Sequence, residues 1–558
     1  MVDPITLEVV KGGLIYAAEE MGIALRKSAY SPNIKERMDH SCALFNPRAE
    51  LVAQAEHIPV HLGSMSLGVR QGLEEYAGEL GEGDVLLLND PYISGTHLPD
   101  QTMIAPVYHR GELVGYTANK AHHTDVGGKA PGSLAADSTE LIQEGLIIPP
   151  VKFVKGGRVD GELARLIKSN VRTPKVQMGD LRAQVAAVNL GARRLCELVE
   201  QFGLETVHRC MELMLDQSEA QMRRAISQAP DGEYVGLDYL EAIPPEGRDA
   251  EIRVKVVKQG ETLLFDYTGT SPQVDAPYNA PLGVTVSGIY FTLISVFAKD
   301  IAVNDGCFRP VSLVVPEGCL LNPRRPAPVA GGNVETSQRN VDVLMRAFAQ
   351  MLPGRIPAAS QGTMNNVAVG GVHNGVPWTF YETIGGGSGG RPNGDGVDGI
   401  HVNMTNTMNT PIEAIEAYLP IEFKAYRLRP DSGGAGRFRG GCGIERVWTL
   451  VGESATLSIM AERTKNRPWG LEGGKPGAPG EFTLVKASGE RITLPPKCTI
   501  NMERGDTLII RTPGGGGFGD PSERETWRVE EDMLDGLVSP EAARRDYGYT
   551  PKEYKQRR

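Results

Sequence analysis

Few features of this 558-residue sequence suggest a membrane protein, a secreted protein or a nucleic-acid-binding protein. Its longest apolar run, residues 283–298, is too short and too rich in hydroxyl groups to span a bilayer, so we expect a buried helix there. The net charge of −11 and the lack of a long basic run argue against nucleic acid as a partner. The first residues, MVDPITLEVV, lack a charged segment followed by an apolar core, so we expect no signal peptide.

Cysteine is scarce, and its positions are dispersed. The sequence has seven cysteines and no CxxC pair. A small, odd number of scattered cysteines in a long chain is typical of reduced thiols and not of a disulfide framework. We therefore expect a cytoplasmic protein.

Nucleotide-binding motifs are also missing. The glycine runs GGGSGG (residues 385–390) and PGGGGFGDP (residues 513–521) resemble phosphate-binding loops. Neither is followed by Lys and Ser or Thr, and neither stands between a strand and a helix in a GxGxxG pattern. Tight turns are the favoured interpretation. If ATP is used, we expect another chain to bind it.

The chain is too long for a single hydrophobic core, and its patterns change along its length. Asp3-Pro4 begins an amphipathic helix, and helical patterns return over residues 179–228. Alternating residues on both sides of Gln259-Gly260 predict a hairpin, and short strands separated by glycine turns dominate after residue 430. These patterns predict an α+β, multidomain protein. The predicted domains are an N-terminal domain with a helix and a β-hairpin metal region (1–230), a glycine-rich central α/β domain (231–430), a β-rich domain (431–520) and a short helical C-terminal tail (521–558).

Three of the ten histidines fall close together, on the two arms of a predicted β-hairpin. TMIAPVYH forms its first strand, an Arg-Gly pair the turn and ELVGYTANKAH its second strand. Counting pairs outward from that turn places Asp100 opposite Ala121. His97, Asp100 and His122 are therefore expected to meet at the open end of the hairpin. A register error of one residue reverses the side-chain faces, so the count predicts proximity and not orientation.

Two imidazoles and a carboxylate are a ligand set for a catalytic divalent metal with positions left open for water. Because no thiolate is present, zinc, manganese and iron are all compatible with the set. Metal-bound water loses a proton near neutral pH and becomes a nucleophile, which suits attack on an activated carbonyl. The alternative is that these are only hydrogen-bonded residues at the mouth of a hairpin. His123 and Asp125 are expected beside the ligands, as their hydrogen-bond partners.

A second pair, His57 and His61 in EHIPVHLG, has the spacing of two ligands on one turn of a helix. Pro59 stands between them and would break such a helix, so joint ligation from a helix is not expected. We expect these two histidines to line a pocket or to cap a loop.

Long motifs follow one another along nearly the whole chain: NDPYISGTHLPD, NKAHHTDVGG, QEGLIIPPVKF, GDLRAQVAAVNLGARRL, ASQGTMNN, DGIHVNMTNTMNTPIEAIE, GAGRFRGGCGIER, ERTKNRPWGLEGG and PGGGGFGDP. Through these motifs the sequence resembles the hydantoinase B family, the β subunits of ATP-dependent hydantoinases, oxoprolinases and lactamases. Ser94 and Ser388 stand where that family often has glycine, which affects two turns and none of the candidate ligands.

The resemblance implies a fourth metal ligand and a division of labour between two subunits. A partner of the hydantoinase A type is expected to bind ATP and to phosphorylate the amide oxygen of a small cyclic amide, in a hetero-oligomer such as α2β2. This chain would then hydrolyse the activated intermediate with water bound to one divalent metal, and His123 or Asp125 would accept the proton. By the family pattern, the metal ligands are Asp39, His97, Asp100 and His122.

Two other functions are compatible with the sequence. Acetone and acetophenone carboxylases contain similar subunits, in which the activated species meets a carboxyl donor instead of water. A requirement for bicarbonate would identify that reaction. A scaffold that only stabilises its ATP-binding partner would keep its turnover when His97 or His122 is replaced by alanine. The converging ligand-type residues argue against a scaffold. The greater length expected of an acetone carboxylase subunit favours hydrolysis of a hydantoin, 5-oxoproline or a lactam.

Overall fold

The first helix begins at Asp3 and Pro4, as the sequence predicts. Asp3 Oδ1 accepts hydrogen bonds from the N–H groups of Ile5 and Thr6 at 3.0 and 3.1 Å, which satisfies donors that a helix N-terminus leaves free. The computed structural model describes residues 2–55, 58–76 and 78–550. The helices and strands of the N-terminal region are α1 (Pro4–Ser28), α2 (Pro32–Lys35), β1 (His40–Phe45), β2 (Leu51–Ala55), α3 (His61–Glu74), β3 (Val85–Leu88), α4 (Pro91–Ser94), β4 (Asp100–His109), β5 (Glu112–His122), β6 (Val151–Lys155), β7 (Arg158–Val159), α5 (Gly161–Asn170), α6 (Pro174–Phe202) and α7 (Leu204–Ser227).

The first seven strands form one sheet, in the order β2-β1-β5-β4-β3-β6-β7, and helices cover both of its faces. Alternate residues of a strand point to opposite faces. In β1, Cys42 and Leu44 join the core that contains α1 and α6, whereas Ala43 and Phe45 join the core that contains α3. The β4–β5 hairpin lies inside this sheet and is packed from both sides.

The hairpin forms as predicted, but its register differs from the count by one residue. Pairs next to the turn are as counted, and a β-bulge follows beside Val107. Beyond the bulge Asp100 pairs with His122 and not with Ala121. Gly115 faces Val107 across the bulge, where a Cβ would lie 2.2 Å from a carbonyl oxygen of β1. The bulge adds a residue that counting from the turn cannot anticipate, and it places Asp100 and His122 directly opposite each other.

A four-stranded sheet and two long buried helices make up most of the central region. The sheet has the order β11-β10-β9-β8. Its β9–β10 hairpin forms as predicted, but Gln259 pairs with Thr262, so the turn residues are Gly260 and Glu261, one residue later than expected. Helix α8 confirms the buried helix expected from the longest apolar run. One π-helical turn, residues 332–336, leads into α9. The elements are β8 (Gly232–Ile243), β9 (Arg248–Gln259), β10 (Thr262–Asp266), α8 (Leu282–Phe297), β11 (Val311–Val314), α9 (Ser337–Met351), β12 (Asn366–His373), β13 (Val376–Glu382), α10 (Ile412–Tyr418) and β14 (Ile421–Leu428).

The C-terminal region is rich in β-structure, and its strands pair with central ones. The remaining elements are β15 (Ile444–Leu450), β16 (Ser454–Met460), β17 (Glu481–Val485), β18 (Arg491–Thr493), β19 (Lys497–Glu503), β20 (Thr507–Arg511), α11 (Thr526–Leu534) and α12 (Pro540–Tyr547). Two sheets, β13-β12-β16-β19 and β14-β15-β20-β17-β18, join strands from both sides of residue 430. The predicted domain boundaries stay predictions, and the one near residue 430 is crossed by this strand pairing.

The two glycine runs contact each other through their backbones. A Cβ at Gly515 would lie 1.9 Å from the carbonyl oxygen of Ser388, so only glycine fits this approach. The runs therefore serve close backbone packing, and residues 385–390 and 513–517 do not form the tight turns that we expected.

The α+β class is confirmed, since the described residues form twelve α-helices and four sheets. All seven cysteines are free thiols. Within residues 2–55, 58–76 and 78–550, no helix combines the length and apolar character that crossing a bilayer requires.

Candidate metal centre

The structure brings His97, Asp100 and His122 together at the open end of the β4–β5 hairpin. Asp100 is the first residue of β4 and His122 the last residue of β5. His97 lies in the turn after α4, and its carbonyl oxygen accepts a hydrogen bond from the Asp100 N–H at 3.0 Å. The predicted convergence of these three residues is confirmed.

The distances within this cluster match those of ligands around one ion. Asp100 Oδ1 lies 3.1 Å from His122 Nδ1 and 3.4 Å from His97 Nε2, and the two nitrogens are 3.1 Å apart. Bonds of about 2.0–2.2 Å to a divalent ion, at angles between square and tetrahedral, put ligand atoms about 3.0–3.5 Å apart. All three residues are at most 3% exposed. The residues present therefore fit a divalent metal without rearrangement.

Neighbouring groups fix the two imidazoles. His97 Nδ1 lies 3.3 Å from the carbonyl oxygen of Ala330, which can only accept, so Nδ1 donates to it and Nε2 faces the cluster. The His122 ring stacks on the ring of Tyr381 at a centroid distance of 4.8 Å. A metal ligand held in one tautomer and one orientation binds without first losing rotational freedom.

Burial and charge set the protonation of the cluster. Burial lowers the pKa of His122, which favours the neutral imidazole that binds metals. Burial acts in the same direction on His97, but the Asp100 carboxylate outweighs it and raises the pKa of His97. Burial alone would raise the pKa of Asp100; the charge of His97 and hydrogen bonds from the neighbouring histidines hold it well below its ordinary value. Asp100 is therefore a carboxylate, ready to ligate a cation.

Asp39, which only the family resemblance implies as a ligand, lines the same small pocket as the cluster. Its carbonyl oxygen accepts a hydrogen bond from the His122 N–H at 3.0 Å. Its carboxylate lies 3.8 Å from the guanidinium of Arg37, which is fully buried. The mutually close ligand atoms belong to the other three residues and do not include Asp39.

His61 lines this pocket beside Asp100, a position next to the cluster that the sequence did not predict. It is the first residue of α3, so Pro59 precedes the helix, and His57 lies outside the described residues. His61 Nδ1 is 3.0 Å from the hydroxyl of Ser41. Its Nε2 lies 3.6 Å from Asp100 Oδ2, and neither of these two atoms has a hydrogen-bond partner. The expectation that His61 lines a pocket is confirmed.

His123 and Asp125 do not face the cluster. Both ring nitrogens of His123 contact side-chain oxygens of α6, Gln177 Oε1 at 3.0 Å and Gln184 Oε1 at 2.8 Å. The Asp125 carboxylate accepts hydrogen bonds from two backbone N–H groups of its own loop, from the backbone N–H of Arg172 and from Arg172 Nη1 at 2.9 Å. All these atoms are engaged, so the expectation that either residue accepts the reaction's proton finds no support in this geometry.

The opposite wall of the pocket comes from the central region. It is built from the π-helical turn, the end of β13 and the loop before α10, which are remote in sequence from the hairpin. The motif DGIHVNMTNTMNTP supplies the loop. Its repeated hydroxyl and amide residues were the feature of the sequence that could have indicated a polar wall here. The main polar residues of this wall are Asn333, Tyr381, Thr383, Thr405 and Thr407.

Comparisons with known proteins agree over the whole chain. A family profile described as hydantoinase B/oxoprolinase matches residues 3–521. An uncharacterized protein of Methanocaldococcus jannaschii is 49% identical, over 98% of this chain and 96% of that protein. The putative B-type subunit of a D-/L-hydantoinase from a Pseudomonas species is 36% identical, over 98% and 95%. A 5-oxoprolinase of Dictyostelium discoideum is 37% identical over 93% of this chain, which spans only 40% of that longer protein.

Two solved structures share the fold. The ATP-dependent caprolactamase from Pseudomonas jessenii superposes with a TM-score of 0.93 at 31% identity, covering 100% of this chain and 98% of that one. A nucleotide-free acetone carboxylase structure gives a TM-score of 0.90 at 21% identity, covering 98% and 79%. At that lower identity the likeness shows the fold alone.

Proposed function

The chain belongs to the hydantoinase B/oxoprolinase family, and from this membership we propose that it is the metal-bearing subunit of an ATP-dependent cyclic-amide hydrolase. The observation that carries the proposal is the buried His97, Asp100 and His122 cluster at the end of the hairpin. Relatives named as a 5-oxoprolinase, a B-type hydantoinase subunit and an ATP-dependent caprolactamase support the reaction type.

The proposed partner is an A-type subunit that binds ATP. The hydantoinase relative is itself a B-type subunit, and this chain spans 95% of it, whereas the 5-oxoprolinase relative is more than twice as long. An unactivated amide carbonyl is a poor electrophile, and phosphorylation of its oxygen creates a good leaving group. Activation on the partner, followed by hydrolysis on this chain in a hetero-oligomer such as α2β2, gives the ring-opened product, ADP and phosphate.

Zinc, manganese or iron would be held by His97 Nε2, Asp100 Oδ1 and His122 Nδ1, with Asp39 as a fourth ligand. A bound divalent ion would lower the pKa of a water and so supply the nucleophile. The buried walls, formed in part by Tyr381, keep bulk water away from the reacting carbon.

His61 is the proposed proton acceptor, in place of His123 or Asp125. The Ser41 hydroxyl occupies its Nδ1, and the free Nε2 points to the unpartnered Asp100 Oδ2. A proton taken at Nε2 would be stabilised by that carboxylate. His123 and Asp125 are assigned to holding the chain after β5 against α6 and Arg172.

Metal content and turnover of the reconstituted pair test the proposal. We expect about one equivalent of zinc, manganese or iron per chain, lost in a folded His97→Ala/His122→Ala variant together with ATP-dependent ring opening. His109→Ala, at the opposite end of β4, is the matched control and should keep both.

The assay includes hydantoin, 5-oxoproline and lactam substrates, with and without bicarbonate. If the pair converts a ketone only when bicarbonate is present, the reaction is carboxylation and the proposed hydrolysis is wrong. Full ring-opening activity in the double variant would mean that this chain serves only as a scaffold for its partner.

A further inference from the structure

A larger cavity of about 180 Å³ adjoins the small metal pocket. His61 and Ile58 line both, so a molecule in the larger cavity lies next to the Asp100 side of the cluster. A cavity of about 150 Å³ holds a benzene ring, so this one has room for a five- to seven-membered ring. The metal pocket itself, about 20 Å³, holds little more than one water.

The lining of the larger cavity is mainly apolar, with a few uncharged polar groups. Phe291 and Ile294 of α8 and Leu62 of α3 supply hydrocarbon surface. Gln54 contributes a side-chain N–H2 group that is buried and has no hydrogen-bond partner. Ser295 lines the cavity and is exposed, so it marks the opening to solvent. An amide carbonyl satisfies the Gln54 donor, and methylene groups suit the apolar walls.

No lysine or arginine occurs among the described residues that line this cavity. A ring that carries a carboxylate would have to bury its charge there without a cation, which costs far more than burying methylene groups. A ring without a carboxylate meets no such cost, because the phosphoryl group of the activated amide is bonded through oxygen to the reacting carbon and lies on the side of the metal cluster.

We propose that this cavity is the ring-binding site and that it selects uncharged cyclic amides over anionic ones such as 5-oxoproline. The assignment rests on the proposed function, because it places the reacting carbonyl carbon beside His61 and the cluster. Hydrocarbon of the ring packs against α8, and Gln54 Nε2 donates to the amide oxygen. Selection is by charge, since ring size alone does not separate these substrates.

The test compares 2-pyrrolidinone with 5-oxoproline, which have the same ring and differ by one carboxylate. Binding to the metal-loaded chain is measured by saturation-transfer NMR, and kcat/KM is measured on the reconstituted pair with ATP. We expect 2-pyrrolidinone to be favoured by about tenfold or more in both, the range in which one unpaired buried group discriminates.

Two variants test the cavity and one controls for added charge. Ser295→Arg places a guanidinium at the opening and should improve 5-oxoproline about tenfold relative to the parent. Ile294→Trp fills the cavity and should weaken 2-pyrrolidinone about tenfold while the metal content stays the same. Ser227→Arg, exposed on α7, should change neither ligand.

The outcomes separate this inference from the proposed function. A parent that binds 5-oxoproline as well as 2-pyrrolidinone overturns the selectivity, even if ring opening is confirmed. Binding that neither Ser295→Arg nor Ile294→Trp alters overturns the location. If no cyclic amide is turned over but the binding preference follows both variants, the cavity assignment stands and the hydrolase function fails.

Discussion

The buried carboxyl group of Glu335 should make the stability of the pocket wall depend on pH. Glu335 lies in the π-helical turn, and its Oε1 accepts hydrogen bonds from the Met364 N–H at 3.0 Å and from Asn366 Nδ2 at 2.7 Å. Its Oε2 is buried without a partner. Burial, reinforced by the Glu462 carboxylate, raises the pKa of Glu335 from 4.5 to about 8.

The folded chain therefore keeps this proton over a pH range in which the unfolded chain has lost it. In that range each pH unit lowers the free energy of unfolding by about 1.4 kcal/mol, because the unfolded state binds fewer protons. The stabilising contribution is complete below the unfolded pKa and is lost as the pH rises through about 8. Between pH 5 and pH 8 the loss from this one group is about 3–4 kcal/mol.

Glu335→Gln keeps the acceptor oxygen and removes the titration. We expect the variant to match the parent within about 1 kcal/mol at pH 5 and to exceed its stability by about 3 kcal/mol at pH 8. Urea unfolding, followed by far-ultraviolet circular dichroism at four pH values, measures the difference. Glu112→Gln, exposed at the start of β5, is the control. Parallel pH profiles for all three proteins would refute the reasoning and mean that Lys497 keeps Glu335 ionised in the folded state.

Three further predictions concern the His97, Asp100 and His122 cluster and the residues that support it. Glu144 accepts hydrogen bonds from the N–H groups of Val329 and Ala330 at 3.0–3.1 Å and so fixes the Ala330 carbonyl that holds His97. Glu144→Gln should therefore weaken metal binding about 10–100-fold, measured by competition with a chelating dye. The control Glu140→Gln, at an exposed position, should leave metal binding unchanged. Metal at about 100 times its Kd should raise the free energy of unfolding of the parent by about 3 kcal/mol in thermal unfolding, and a chelator should reverse the effect. An equal effect in the His97→Ala/His122→Ala variant would place the metal elsewhere. Gly115→Ala should lower the free energy of unfolding by more than about 2 kcal/mol, because its Cβ would meet a carbonyl oxygen of β1. Gly12→Ala, which has open space around its Cβ, should raise the free energy of unfolding by up to about 1 kcal/mol. Equal urea midpoints for the two variants would show that the hairpin backbone moves at the bulge to accommodate the methyl group.

Local signals in the sequence predicted much of the fold. The Asp3 cap, the hairpin turn at Gly260 and the apolar run of α8 each act over a few residues, and each appears within one residue of its expected place. The meeting of His97, Asp100 and His122 was also predictable, because the two arms of a hairpin are close in sequence.

Features that depend on distant contacts were not predictable from one sequence. The bulge lies where β1 closely approaches Gly115, and counting from a turn contains no information on that contact. Tyr381 and the threonine-lined wall reach the cluster through tertiary packing. The orientation of His123 was within reach: neighbours in an extended chain point to opposite faces, so His122 and His123 cannot both face the same ion.

The contact between His97 Nδ1 and the Ala330 carbonyl spans 233 residues of sequence, and this separation has a consequence for synthesis. On the ribosome the hairpin emerges with both of its arms, and with all three cluster residues, long before residue 330 is made. A nascent chain can therefore gather Asp100 and His122 while the imidazole of His97 still rotates freely. That ring is fixed in a second stage, when Ala330 has been made and its carbonyl accepts the hydrogen bond from Nδ1. The first part of the chain therefore supplies the cluster, and a residue made 233 positions later fixes one of its imidazoles.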